Sequence, residues 1–294
     1  MLGRLGAAFG IGLLKLLALL PYGLVARFGN ALGWLLYQVP SGRNRVVHTN
    51  LCLCFPEWSE ARREEVAARH FRHAIRSYVE RSFQWFASEE KYRSIYVVDS
   101  EIDLRDPDMP PTLLLGFHFV GIEAGSMAVN LELERTCASL YTPIKNPQFE
   151  AAAKWGRSRF GAELASRADS ARAVLRWLRD RKPVMLGADM DYGVRNSTFV
   201  PFFGVQACTL TAVSRLAQTG RAQVVPFIGE VLPNYKGYRL KIFKPWDNYP
   251  TGDDEQDARR MNAFLEEQIP HLPEQYYWVH KRFKTRPPGE PSVY

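Results

Sequence analysis

Five short apolar runs, at residues 112–117, 137–141, 183–188, 223–231 and 238–243, do most to limit what this chain can become. Each has the length of a strand rather than of a helix. Between them lie stretches of helical spacing near 120–133, 147–160, 169–181, 207–219 and 255–269. A chain that alternates in this way buries its strands in a sheet and covers that sheet with helices. The expectation is therefore an α/β fold, a mixed sheet flanked by helices. A long helix is expected over 59–87, with Ser59 placed to cap it and Ala67, Phe71, Ala74 and Tyr78 recurring at helical spacing. No internal repeat, low-complexity tract or Gly/Ser linker interrupts the chain, so residues 41–294 read as one domain.

Composition closes off other classes. With 294 residues, 46% apolar and 23% charged, the chain is globular rather than disordered, collagen-like or polytopic in a membrane. Four cysteines without a Cys-x-x-Cys argue against a disulfide scaffold and a structural zinc site. The net charge of +7 invites a nucleic-acid reading, but its distribution does not support one. No Asp or Glu precedes Glu57, whereas Arg4, Lys15, Arg27, Arg43 and Arg45 do. Removing those five leaves 33 basic against 31 acidic residues, so the excess belongs mainly to the N-terminus. No zinc finger, helix-turn-helix or RNA-binding signature accompanies the charge.

That N-terminus is strongly apolar. Residues 5–26 form a 22-residue run with one charge, Lys15, and as a helix would span about 33 Å. A second apolar run, 28–39, carries Trp34 and Tyr37, which suit an interface. A cleaved signal peptide and a buried soluble hairpin are alternatives, although no small-x-small cleavage site follows. The reading adopted is a hydrophobic membrane helix, with residues 1–40 as membrane anchor and interfacial segment. More positive charge follows the run than precedes it, which places the bulk of the chain on the cytoplasmic side.

The main chemical signal is the segment from Leu113 to Glu123, LLLGFHFVGIE. A strand is expected to end near His118 and a helix to begin soon after, and ligands bind at such strand ends. With His118 before the helix and Glu123 in its first turn, the two side chains can converge, the carboxylate orienting the imidazole. Helix-start N–H groups nearby suit a developing oxyanion. The spacing alone is cheap, and a core histidine beside a surface glutamate has the same pattern. Asp189 and Asp191 close another buried-looking run and so also fall at a ligand edge. They are placed to orient arginines or to bind hydroxyls. A metal at this pair is not expected, for no His-rich ligand set is evident. Arg157 and Arg159 suit phosphate oxygens, though two residues apart they cannot share one helix face. Arg172, Arg176 and Arg179 line one side of the 169–181 helix, beside a stripe of Ala171, Val174, Leu175 and Leu178. They read either as a solvated face or as a docking surface for an acidic partner. Lys281, Arg282, Lys284 and Arg286 form a second basic stretch, a solvated tail or a contact for headgroups or an acidic carrier. No Gly-x-Ser-x-Gly elbow is present, and Cys208 is a weak covalent candidate beside its reading as a small buried residue.

Taken together, these motifs resemble those of the late acyltransferases of lipid A biosynthesis, the lauroyl/myristoyl family within the glycerolipid-type acyltransferase superfamily. The resemblance rests on Gly116-Phe117-His118 with Glu123, Tyr141-Thr142-Pro143 with Asn146-Pro147, and Gly156-Arg157-Ser158-Arg159. It continues through Asp189-Met190-Asp191-Tyr192-Gly193, the run 199–204, Pro273 to Trp278, and His280 to Lys284. Asn50-Leu51 and Cys54-Phe55-Pro56-Glu57 fit as well. Thr142 departs from the pattern, a basic residue being expected there, which leaves the detail of donor or acceptor contacts open.

The resemblance implies a glycerolipid-acyltransferase-like fold. It also implies acyl transfer from an acyl carrier protein thioester to a hydroxyl of a glycolipid acceptor, a lipid A precursor. His118 would be the general base, Glu123 its partner, and transfer direct, without a cofactor. Arg157, Arg159, Asp189, Asp191 and Tyr192 would bind substrate. The bacterial inner membrane is the implied location, with the catalytic domain on its cytoplasmic face. The same chemistry on another glycolipid or an amino lipid, or a non-catalytic membrane-bound lipid or carrier binder, is the alternative.

Overall fold

The computed structural model describes residues 2–133, 135–166 and 170–294. In chain order its strands are β1 (Tyr96–Ser100), β2 (Thr112–Gly116), β3 (Ala138–Tyr141), β4 (Glu163–Ser166), β5 (Val184–Gly187), β6 (Ser197–Phe202), β7 (Val205–Leu210), β8 (Gln223–Val231) and β9 (Tyr238–Ile242). Seven of them make one sheet in the order β1-β9-β8-β2-β5-β3-β4, while β6 and β7 form a separate hairpin. Every pairing in the large sheet is parallel except β8 with β9, so the sheet is mixed, as expected. The central strand β2 is buried at every position, between β5 and β8. A strand covered on both faces needs a continuous apolar run rather than alternation, which explains Leu113-Leu114-Leu115.

The helices are α1 (Leu2–Leu17), α2 (Tyr22–Tyr37), α3 (Gly42–Cys54), α4 (Glu60–Val79), α5 (Arg81–Phe86), α6 (Glu89–Arg93), α7 (Ile122–Glu132), α8 (Pro147–Ser158), α9 (Ser170–Arg179), α10 (Ala212–Gly220) and α11 (Asp254–Gln268). Ser59 caps α4 by accepting the Arg62 N–H, but the single helix expected over 59–87 is two, separated at Glu80. The helix expected over 207–219 starts only at Ala212, because 205–210 belongs to β7. The turn Phe203-Gly204 has both φ angles positive, at 49° and 78°, which reverses the chain within two residues and pairs Phe202 with Val205. The first residue of the expected 169–181 helix lies outside the described residues. Within α9 the buried stripe is Ala173, Val174, Trp177 and Leu178, and Ala171 faces solvent.

The N-terminal membrane helix is corrected. Pro21 divides the apolar run into α1 and α2, each of 16 residues. Such a helix is about 24 Å long, short of a hydrocarbon core of about 30 Å. Among the described residues no helix is long and apolar enough to cross a membrane. Both helices instead lend one side to the rest of the fold. Leu17, Ala18 and Val25 pack with Ala74, Phe83 and Trp85. On α2, a Cβ at Gly33 would lie 2.6 Å from the Arg72 Cα, so this glycine is what lets α2 sit directly on α4. The other side is left apolar and exposed: Leu5, Phe9, Leu13, Leu16, Leu19, Leu24, Phe28, Trp34 and Leu35 all face outward.

Candidate active site

The site forms where β2 and β5 end side by side. Their parallel register sets Gly116 opposite Gly187. Two residues further along each chain stand His118 and Asp189, at the carboxyl edge where open sheets bind ligands. The imidazole lies against Gly187, where a Cβ would come within 2.7 Å of its Cε1. Asp189 is buried, and its Oδ1 lies 2.5 Å from His118 Nδ1. Its Oδ2 accepts the His118 backbone N–H at 3.0 Å. The C-terminal segment holds the loop from the other side. Tyr277 N–H donates to the His118 carbonyl, and Val120 N–H donates to the Gln275 carbonyl. Gln275 in turn closes on Val231 with both ends of its amide. His118 is thus fixed through ring, N–H and C=O, with 22% of its side chain open to solvent.

Charge assigns the tautomer. Burial raises the Asp189 carboxyl, but His118 beside it prevails and holds it below the ordinary range, so the group is ionised and accepts only. Nδ1 therefore faces the carboxylate as the donor, and Nε2 points away from it.

The structure corrects the expected pairing of His118 with Glu123. Glu123 does stand in the first turn of α7, but its carboxylate turns to Arg157, at the end of α8, in a bidentate pair of 2.8 and 2.7 Å. The Trp85 indole N–H completes the set at 2.8 Å. Burial opposes ionisation of Glu123, yet Arg157 holds its pKa at about 2. The role expected of Glu123 towards the imidazole is filled by Asp189. The N-cap of α7 is Gly121, which offers no side chain to the first-turn N–H groups. Gly121 lies so close to β8 that a Cβ on it would meet the Gly229 carbonyl at 2.4 Å.

The remaining predicted residues divide. Arg157 belongs to the Glu123 pair. Arg159 donates to the Trp85 carbonyl at 2.9 Å and lies over the Phe160 ring; its Nε and Nη2 are buried without a protein partner among the described residues. Asp191 is buried and tied to Gly193 N–H, to Thr285 through N–H and hydroxyl, and to Lys284 at 3.9 Å. Its own N–H donates to His280 Nε2 at 2.9 Å. Asp191 thus anchors the C-terminal segment and does not accompany Asp189 at the imidazole. Tyr192 is 37% exposed. The basic stretch after it dissolves into separate tasks. Arg282 is buried and donates to the Cys208 carbonyl, Thr209 and Asn262, while Arg286 bonds the Gln206 carbonyl and Glu290. Burial pushes the Cys208 thiol up, and its Sγ donates to the Gly193 carbonyl, a poor setting for a thiolate. Among the described residues no three His, Cys, Asp or Glu side chains gather as a metal site would require.

Sequence reasoning missed the partnership of Asp189 with His118, the small residue at 187 beneath the ring, and the clamp by Gln275 and Tyr277. Each depends on strand register or on a contact across the chain. The Asp-x-Asp at the end of a buried run was the one available signal.

Comparisons with known proteins place nearly the whole chain in a family. The family model described as bacterial lipid A biosynthesis acyltransferase matches residues 1–285. The chain is 36% identical over 288 residues to the lipid A biosynthesis lauroyltransferase of Escherichia coli (strain K12), covering 97% of this chain and 93% of that protein. It is 32% identical to the palmitoleoyltransferase of the same organism, covering 97% and 93% of the two chains. With the myristoyltransferase it shares 30% identity over 98% and 90%. A match along nearly the whole length, with His118 and its neighbours inside it, makes this chain a member of the bacterial lipid A biosynthesis acyltransferase family.

Proposed function

We propose that this chain transfers a fatty acyl group from an acyl carrier protein thioester to a hydroxyl of a lipid A precursor. Family membership supports acyl transfer in lipid A synthesis; the donor is what the resemblance of the motifs implies, and the mechanism is argued from the site. The observation that carries the mechanism is the 2.5 Å contact of Asp189 with His118 Nδ1, which leaves Nε2 as a base at an open strand edge. An alcohol is far less acidic than an imidazolium, so the proton passes to Nε2 as the oxygen attacks the thioester carbonyl. The carbonyl π electrons move to oxygen, a charge that the N-terminus of α7, uncapped by any side chain, would favour. When the tetrahedral intermediate collapses, the C–S bond breaks and the imidazolium returns its proton to the departing thiolate. The ester, the free thiol and neutral His118 remain. Asp189 stabilises the transient imidazolium, and the Glu123–Arg157 pair fixes the first turn of α7 against α8.

The exposed apolar faces of α1 and α2 support a seat in the membrane interface, not across it, with the catalytic domain on the cytoplasmic side of a bacterial inner membrane. A lipid acceptor then reaches the site from the surface in which its chains are embedded.

The test is a reconstituted assay with lipid A precursor in vesicles and acyl carrier protein thioester as donor. His118→Ala should abolish transfer while circular dichroism and vesicle binding stay those of the parent. Appreciable turnover by that variant would defeat the general-base assignment, and a parent enzyme inactive with the carrier thioester would defeat the donor.

A further inference from the structure

A second histidine, His280, is held by the same short piece of chain as His118. Asp189 takes the His118 ring, and two residues further on the Asp191 N–H donates to His280 Nε2 at 2.9 Å. Residues two apart lie at most about 7 Å from each other, so both imidazoles are anchored within that distance, just beyond the end of β5. A second run of bonds ties them together. Tyr277 N–H donates to the His118 carbonyl, and His280 N–H donates to the Tyr277 carbonyl. The His280 carbonyl accepts from the Asn50 amide at 2.8 Å. His280 is thus fixed through ring, N–H and C=O, as His118 is.

The bond from Asp191 decides the tautomer of His280. A backbone N–H can only donate, so Nε2 accepts it with its lone pair, and the proton of the neutral ring sits on Nδ1. Burial and the Arg282 guanidinium hold the pKa of this imidazole at about 4, so the ring is neutral near pH 7. The residue is half-buried. Its Nδ1 has no hydrogen-bond partner among the described residues and, unlike Nε2 of His70 and Nδ1 of His73, is not enclosed. The two rings are therefore complementary. His118 leaves Nε2 open, whereas His280 has no lone pair left for a base and offers one N–H.

We propose that His280 is a catalytic residue of the acyl transfer, its Nδ1–H donating to the carbonyl oxygen of the acyl donor as that oxygen becomes an oxyanion. The proposal rests on the general-base reading of His118. As the hydroxyl oxygen attacks, the π electrons move to the carbonyl oxygen, and the hydrogen bond from Nδ1 tightens without giving up its proton. When the C–S bond breaks, the electrons return to the carbonyl and the hydrogen bond relaxes. A neutral imidazole suits this task, because it is a far weaker acid than an imidazolium. It stabilises the oxyanion without protonating it and leaves the hydroxyl proton to His118. With hydroxyl and oxyanion each about 3 Å from its nitrogen, one tetrahedral centre bridges imidazoles anchored this close.

The test uses the vesicle assay with carrier thioester and two substitutions that divide the ring. In His280→Gln the amide oxygen falls near the place of Nε2 and can take the Asp191 N–H, while nothing stands at the place of Nδ1. In His280→Asn the amide nitrogen falls near the place of Nδ1, and the acceptor for Asp191 is lost. His280→Gln should lower kcat by about 10²–10³-fold, with KM for both substrates within threefold. His280→Asn should keep kcat within tenfold of the parent, even where its unfolding midpoint falls. Two unreactive carrier-bound analogues separate chemistry from packing: a phosphonate, which carries tetrahedral oxygens, and a thioether, which has none. His280→Gln should bind the phosphonate at least tenfold more weakly than the parent does and the thioether equally well.

Equal binding of the phosphonate, or a kcat for His280→Gln within threefold of the parent, would overturn the proposal. So would a loss confined to KM for the lipid acceptor, which would assign Nδ1 to that substrate. A His280→Asn variant no faster than His280→Gln would overturn it too, by making His280 an anchor for Asp191 alone. If His280→Gln does not fold, His280→Asn decides, and a loss of more than tenfold in its kcat overturns the proposal. If His118→Ala still turns over, the general-base reading fails and the proposal with it. If His118→Ala is inactive and His280→Gln matches the parent, the proposal alone fails.

Discussion

Asp189 holds His118 by two atoms at once, Oδ1 on the imidazole Nδ1 at 2.5 Å and Oδ2 on the backbone N–H at 3.0 Å. One buried carboxylate thereby sets the tautomer of the ring and the path of the loop that carries it. Strands β2 and β5 make this possible because they end level and side by side, so that residues 71 apart in the chain become neighbours. The ring cannot turn over without losing its partner, which is the preorganisation a general base needs.

Asp189→Asn tests that division of labour. An amide still accepts the His118 N–H but no longer enforces a proton on Nδ1 or stabilises the imidazolium. We expect kcat to fall by about 10²–10⁴-fold with KM for either substrate little changed. Steady-state kinetics decide it. A variant within threefold of the parent would remove Asp189 from the mechanism.

Glu123→Gln addresses stability as much as rate. The change leaves Arg157 without its anionic partner, at a cost of about 2 kcal/mol for a charged hydrogen-bonded pair with slight exposure. The direction with pH follows from the lowered pKa. The folded carboxyl titrates at about 2 and the unfolded one near 4.5, so its contribution is complete above about 4.5 and fades as the pH falls towards 2. Denaturant curves of parent and variant should differ by a constant amount from pH 6 to 8 and converge in acid.

One buried histidine, His70, and two half-buried ones, His73 and His280, predict a steeper effect. Burial lowers His70 and His280 to about 4 and His73 to about 3, with Arg282 adding to the shift of His280 and Arg76 to that of His73. Their unfolded counterparts titrate near 6.5, so the unfolded chain binds more protons below that pH and stability must decline. Each contributes about 1.4 kcal/mol per pH unit between 6.5 and its folded pKa. Acid unfolding should begin below pH 6.5, and His70→Asn should make the slope shallower by about a third. A stability profile that is flat from pH 6.5 to 4.5 would contradict the lowered affinity of these three imidazoles for a proton.

How much of this was readable beforehand depended on distance along the chain. The five apolar runs became β2, β3, β5, β8 and β9 because central strands carry their own burial in their composition. Strands β1 and β4 were missed because edge strands are half covered and lack a marked pattern. The apolar N-terminus was legible as a surface element, yet a count of hydrophobic residues could not show that Pro21 breaks it into two short helices. In the candidate site, His118 and Glu123 were expected to pair, but each has another partner, Asp189 and Arg157. Spacing along one strand and helix suggested that they meet; the carboxylate that reaches the imidazole arrives from the neighbouring strand. Arg282 looked like part of a basic tail and is buried beneath the Phe202 ring. Its partners lie 20 and more residues away, beyond the reach of local patterning.

Substitution on the outer face of α1 and in the turn that follows it separates membrane seating from folding. Phe9 and Leu19 are about three-quarters exposed, so Phe9→Glu with Leu19→Glu should change stability by less than about 1 kcal/mol. Losing two apolar side chains from the interface removes about 3 kcal/mol of partitioning, or about a hundredfold in vesicle affinity. Deleting residues 1–40 is the less clear experiment, because it strips α2 from α4 as well. Co-sedimentation with vesicles together with thermal unfolding distinguishes the outcomes. A doubly substituted protein that binds vesicles like the parent would place the membrane contact elsewhere.

Gly187→Ala asks how closely the imidazole must be held. The added methyl would lie 2.7 Å from His118 Cε1 and 3.3 Å from Nε2, well inside ordinary contact, while the backbone at residue 187 stays in a regular strand. The ring must tilt or slide by several tenths of an ångström, because Asp189 and the Tyr277 N–H hold the rest of the residue in place. A displacement of this order at a reacting atom costs about 10²-fold in rate. The fold should survive, since the methyl meets a side chain at the edge of the site and not the packed interior of the sheet. We therefore expect kcat to drop by about two orders of magnitude, with KM for acceptor and donor within threefold and an unfolding midpoint close to that of the parent. Gly187→Ser should behave in the same way or worse. Full activity in the alanine variant would show that the ring is free to move and that its position over residue 187 has no part in the chemistry.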